Sequence, residues 1–177
     1  MRWTMVSLCV VMAACSGQNL NSPASPTAPG SGVSQTEARG GTGLTFRGSF
    51  TRQSTSVFEP PVTLVITGTE SGTATHLGPF TATSEDRVDT TIPAGTGTFD
   101  FTADNGDELW TTTVGVSNES PAPNISNVTL TATIVGGTGR FANATGTLTI
   151  RFTETIDFAN HSATGSGTIE GQLNLNR

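Results

Sequence analysis

The strongest constraint on how this chain can fold is an alternation of period two. Val62, Leu64 and Ile66 alternate with Thr63, Val65 and Thr67, and Val128, Leu130, Ala132 and Ile134 alternate with Thr129, Thr131 and Thr133. Leu148, Ile150, Phe152, Ile156 and Phe158 share one parity, and Ile169, Leu173 and Leu175 share another. A strand sends successive side chains to opposite faces, so each apolar set predicts a buried face and each threonine set a wet one. Threonine suits that role because its branched Cβ fits a pleated strand while its hydroxyl tolerates water. No helical period of any length interrupts the pattern between Leu44 and Arg177, which predicts a single all-β domain over 44–177.

Nine candidate segments follow from the alternation and the Gly, Pro, Asn and Asp clusters between them. They run Leu44 to Arg52, Val62 to Thr69, Thr73 to Thr83, Arg87 to Ile92, Thr98 to Ala103, Glu108 to Val116, Ser126 to Val135, Thr147 to Phe158 and Gly167 to Leu175, making eight or nine strands. Asp104-Asn105-Gly106-Asp107 reads as a tight hairpin, where Asn-Gly accepts the two positive φ angles of a type I′ turn. About eight antiparallel strands can close into a small barrel, which removes the exposed edges that invite aggregation. A sandwich is the alternative architecture.

Charge narrows the partners. Eight Arg stand against 14 Asp and Glu, for a formal net charge of -6, and the cations are scattered. Without a basic stripe to neutralise phosphates, nucleic-acid binding and attraction to anionic lipid are both disfavoured.

The N-terminus carries its own signal. Arg2 precedes an apolar run from Met5 to Val11, followed by Met12-Ala13-Ala14-Cys15. A cationic start, a short apolar core and small residues before a cleavage point describe a signal peptide over 1–14, too short to span a bilayer. Its ending resembles the lipobox of bacterial lipoproteins. That resemblance implies cleavage before Cys15, lipidation of its thiol and acylation of the new amine, and hence a membrane anchor stable enough to persist. The other cysteine, Cys9, falls in the discarded segment, so the mature chain has no intramolecular disulfide to rely on. Residues 15–43 are rich in Ser, Pro, Gly, Ala and Thr and cannot offset chain entropy by burial, so they read as a flexible tether. Ser16 is not the Asp that marks inner-membrane retention in many such lipoproteins, and the resemblance therefore favours the outer membrane.

Three segments resemble bacterial secreted proteins with an allene oxide cyclase barrel-like domain, a relative of dirigent and calycin-type barrels. They are Thr75-His76-Leu77-Gly78, Asn105-Gly106-Asp107-Glu108-Leu109 and Gly136-Gly137-Thr138-Gly139-Arg140-Phe141-Ala142-Asn143-Ala144-Thr145-Gly146. The resemblance implies an eight-stranded antiparallel barrel and carries over no catalytic residue. The glycine-rich segment is not the phosphate loop it superficially suggests, since no helix follows it. It reads as a turn at a barrel end, with Phe141 plugging the core and Arg140 meeting an acid.

Chemistry is sparse. His76 and His161 lack metal-ligand spacing, no Gly-x-Ser-x-Gly elbow is present, and the acids Asp100, Asp104, Asp107 and Glu108 lack the ligand order of a calcium loop. No cofactor or metal is therefore expected. Glu154 is the exception, because its parity places a carboxylate among Leu148, Ile150, Phe152 and Ile156. It would meet a ligand there, or pair with Arg140 or Arg151, or turn outward at a bulge. Phe99, Phe101 and Trp110 are candidate lining residues for a small apolar ligand, with Glu154 as the polar group. Three functions stay open: a tethered binding module, a cyclase- or isomerase-type enzyme, and a structural lipoprotein with a packed barrel. Of these the binding module ranks above the enzyme, because the pattern suggests no acid, base or nucleophile other than Glu154.

Overall fold

The computed structural model describes residues 43–92, 94–118, 120 and 122–175. The expected signal peptide, Cys15 and all of the expected tether before Gly43 lie outside the described residues. Eight strands follow one another: β1 (Leu44–Glu59), β2 (Thr63–Ala74), β3 (Gly78–Asp89), β4 (Ala94–Ala103), β5 (Glu108–Asn118), β6 (Ile125–Gly137), β7 (Ala144–Asp157) and β8 (Ser162–Leu175). Each pairs antiparallel with its sequence neighbour, and β8 returns to β1, from Leu44 opposite Leu173 to Thr55 opposite Ser162. The sheet is a closed barrel, which removes the sandwich alternative.

Two of the expected boundaries move. Thr73 to Thr83 is not one strand: the chain reverses at Thr75–Leu77, where His76 (φ 66°) and Gly78 (φ 74°) adopt left-handed angles. Leu77 then folds inward and is buried. The segment Arg87 to Ile92 is not a separate strand either, since β3 continues through it to Asp89. The β4–β5 hairpin also differs from the type I′ expectation. Among its residues only Gly106 has a positive φ, at 86°, while Gly106 N–H donates to Ala103 O and Ala103 N–H to Asp107 O, both at 2.9 Å. One left-handed glycine after a turn gives the three-residue hairpin with a bulge, in which Asn105 needs no positive φ.

The meander fixes two barrel ends. One end gathers the start of β1, the turns 75–77 and 104–107, the segment 138–143 and the end of β8. The other gathers the turns after β1, β3, β5 and β7. The first end is closed. Phe46, Phe80, Phe99, Phe101, Leu109, Phe141, Leu148 and Leu173 are buried there; Phe80 and Phe101 meet edge to face with centroids 5.3 Å apart, and Phe99 and Phe101 meet tilted by 38° at 4.9 Å. Such offset contacts add to burial because ring edges face ring clouds. A single 3-10 turn, Gly139–Phe141, inserts the fully buried Phe141 as a plug, and Arg140 pairs with Asp107 at 3.3 Å.

Candidate functional site

Midway along the barrel the interior changes from aromatic to charged. Inward parity on β1 runs Phe46, Gly48, Phe50, Arg52 and Ser54, so the guanidinium of Arg52 is delivered to the axis by the same alternation that buries the two phenylalanines. β2 brings Glu70, β3 brings Ser84 and Asp86, β5 brings Thr113 and β7 brings Glu154, all buried. Arg52 also lies over the ring of Phe152, 4.9 Å from its centroid.

The three carboxylates are held unequally. Arg52 Nη1 donates to Glu70 Oε1 and, at 2.7 Å, to Ser84 Oγ, while Ser84 Oγ donates to the same Glu70 oxygen at 2.9 Å. This closed triangle is the tight pairing. Asp86 Oδ2 lies 3.7 Å from Arg52 Nη2 and takes a 3.4 Å hydrogen bond from Thr113 Oγ1 on its other oxygen. Glu154 Oε2 lies 3.5 Å from Arg52 Nε. That distance allows charge attraction, but both atoms lack a hydrogen-bond partner, as does Glu70 Oε2.

Burial is the largest influence on all three acids and pushes the carboxyls of Glu70, Asp86 and Glu154 above their ordinary range, against the pull of Arg52. Space for the cluster comes from glycine. A Cβ on Gly68 would lie 2.5 Å from Ser84 Oγ and 2.6 Å from both Arg52 Nη1 and Glu70 Oε1, so the ion cluster fits only where a side chain is missing.

Above the cluster the barrel opens into a cavity of about 200 Å³. Leu64, Ile66, Val88, Val128 and Ile156 form its walls, and Arg52, Asp86 and Glu154 form its charged floor. Glu70 does not line it. Larger hollows elsewhere are shallow grooves between threonine rows on the outer face, such as that along Thr96, Thr98, Thr112, Thr131 and Thr133.

The structure distributes the residues expected to line a ligand site. Glu154 faces the cavity and is 7% exposed, paired with Arg52 rather than with Arg140 or Arg151. Phe99 and Phe101 point inward but lie in the packed half, at 0% exposure, where no cavity reaches them. Trp110 does not line the interior. It follows the inward Leu109, points outward at 39% exposure and donates its indole N–H to Glu108 at 3.0 Å. Phe158, grouped with the buried face by parity, lies beyond the end of β7 in a turn and is 63% exposed. His76 sits in its turn with Nε2 donating to Thr45 O at 3.2 Å.

The fold and this interior define a small antiparallel barrel, solid at one end and hollow at the other. No family model matches the chain, and no curated protein matches it. Among solved structures, the pterocarpan synthase dirigent protein GePTS1 is similar in fold, at 17% identity and a TM-score of 0.48, covering 76% of this chain and 90% of that one.

Proposed function

We propose that this chain is an exported, lipid-anchored binding module of the allene oxide cyclase barrel-like group, which holds a small molecule with an apolar body in the open half of its barrel. The observation that carries the binding part is the cavity of about 200 Å³, with aliphatic walls and a few convergent polar groups at its base. The anchoring part rests on the sequence pattern ending at Cys15. A packed aromatic half below the cavity gives the site a rigid floor.

The size of the cavity bounds the ligand. A dry cavity of about 150 Å³ admits benzene, so this one suits a single ring with a short chain. Calorimetric titration of the full chain with 2-phenylethanol is expected to show saturable binding, abolished by Ile66→Trp, which fills the cavity from its wall. No saturable heat with the unaltered chain would sink the reading. Separately, Cys15→Ala is expected to release the protein from membranes into the soluble fraction, and unchanged membrane partitioning would remove the anchor.

A second reading has one observation in its favour. Asp86 and Glu154 are carboxyls that burial pushes above their ordinary range, the direction an acid in a cyclase- or isomerase-type site requires.

A further inference from the structure

The ion cluster contains more negative than positive groups, and the surplus faces the cavity. Four charged side chains reach the interior here: Arg52 from β1, Glu70 from β2, Asp86 from β3 and Glu154 from β7. The neighbouring inward positions on β4, β5, β6 and β8 are Gly97, Thr113, Ser126 and Gly165, none of them charged. Glu70 takes the one tight contact of Arg52 and shares it with Ser84, on the side away from the cavity. The guanidinium face is covered by Phe152. Asp86 and Glu154 are therefore left with long contacts to Arg52, at 3.7 and 3.5 Å.

Glu154 carries the point further. Its side chain is 8% exposed and lines the cavity; Ser54 and Arg52 are the donors around its carboxyl, yet its Oε2, 3.5 Å from Arg52 Nε, makes no well-formed hydrogen bond. A buried carboxylate oxygen without a well-formed hydrogen bond has lost its water without full compensation, and native interiors seldom leave one unmatched. The donors that match it best carry positive charge, because two carboxylates already exceed what one guanidinium neutralises.

We propose that the cavity selects a small amphiphile with a protonated amine, its ammonium group meeting Glu154 and Asp86 and its apolar body lying against Leu64, Ile66, Val88, Val128 and Ile156. The inference rests on the binding reading and narrows it. Arg52 serves as the fixed cation that keeps the floor folded in the empty state, and the ligand supplies the second. Burial raises both carboxyls, so a proton competes with the ligand for the same oxygens, and amine affinity falls as pH drops through their range.

The test compares three probes of matched shape on the full chain at neutral pH: 2-phenylethylamine, 2-phenylethanol and phenylacetate. The amine is expected to bind at least about tenfold more tightly than the alcohol. Glu154→Gln and Asp86→Asn, each checked for native circular dichroism, are expected to weaken the amine by a much larger factor than the alcohol, bringing the amine down towards the alcohol. Two variants are needed because either substitution alone could disturb the cluster. Alcohol or phenylacetate binding as tightly as the amine, or an amine preference that survives both substitutions, would overturn the cationic selectivity and leave the cavity reading intact. Binding of none of the three would remove the cavity reading, and this inference with it.

Discussion

The two halves of the barrel are built from the same eight strands with the same period, yet they have opposite interiors. In the closed half, inward positions carry Phe46, Phe80, Phe99 and Phe101, whose rings fill the cross-section. In the open half the same strands present Arg52, Glu70, Asp86 and Glu154, then smaller or aliphatic residues that stop short of the axis. A closed sheet fixes how much room there is inside, and side-chain volume decides whether it is filled. Stability is therefore concentrated at one end and chemistry at the other.

The sharpest way to break that contrast is to empty the closed half. Phe101 touches Phe46, Phe80 and Phe99, so Phe101→Ala is expected to cost about 3–5 kcal/mol in a urea unfolding curve. Any protein that remains folded should keep its affinity for 2-phenylethanol, since the cavity lies above. A loss of affinity without a loss of stability would reverse the division of labour.

Next in size is Arg52→Met, which leaves three buried carboxyls without their cation. Breaking a buried pair typically costs about 3 kcal/mol at neutral pH, and the loss should shrink in acid as the carboxyls take up protons. A pH-independent cost would mean that packing of the arginine stem, not its charge, is what matters.

A smaller effect follows from the raised carboxyls. Their ordinary values are 4.5 for Glu70 and Glu154 and 3.8 for Asp86, and all three are higher in the folded protein. The folded state thus retains protons that the unfolded chain releases. The stability this brings is full below the unfolded values and is lost as pH rises through the folded ones. Glu154→Gln lacks its share of the loss, so unfolding curves should show the variant gaining on the unaltered chain as pH rises above the ordinary value of 4.5. A constant difference would show that Glu154 titrates normally.

The smallest effect is expected on the outer face. Trp110 points outward, is 39% exposed and donates its indole N–H to Glu108 on its own strand, so Trp110→Ala should change stability by about 0.5 kcal/mol or less and leave cavity binding unaltered. A large change in either would place the indole in the working parts of the molecule.

Much of the fold was legible in the alternation. The all-β class, the Phe141 plug, an acid partner for Arg140 and the inward parity of Glu154 follow from parity and turn residues, whereas the strands alone left barrel and sandwich open and did not separate a packed half from a hollow one. The rest of the ion cluster carried the same signal but fell where the predicted strands stopped. Arg52 stood at the last position of one segment, Glu70 one residue beyond another, and Asp86 in the gap between Thr83 and Arg87. Charged residues weaken an apolar pattern, so strands read from hydrophobicity end where a buried charge begins. Trp110 misled for the converse reason: a large aromatic side chain suggests a core, whereas its neighbour Leu109 already held the inward parity.

The pairing of β8 with β1 also governs how the chain can be cut. Every other strand pair joins sequence neighbours through a short connection, so this seam is the one contact that needs both ends of the domain. It brings Leu44 and Leu175 to the same rim, where a short linker could join them. A circular permutant opened at 119–124 instead would convert the seam into an ordinary hairpin and move the late, long-range closure to β5 and β6.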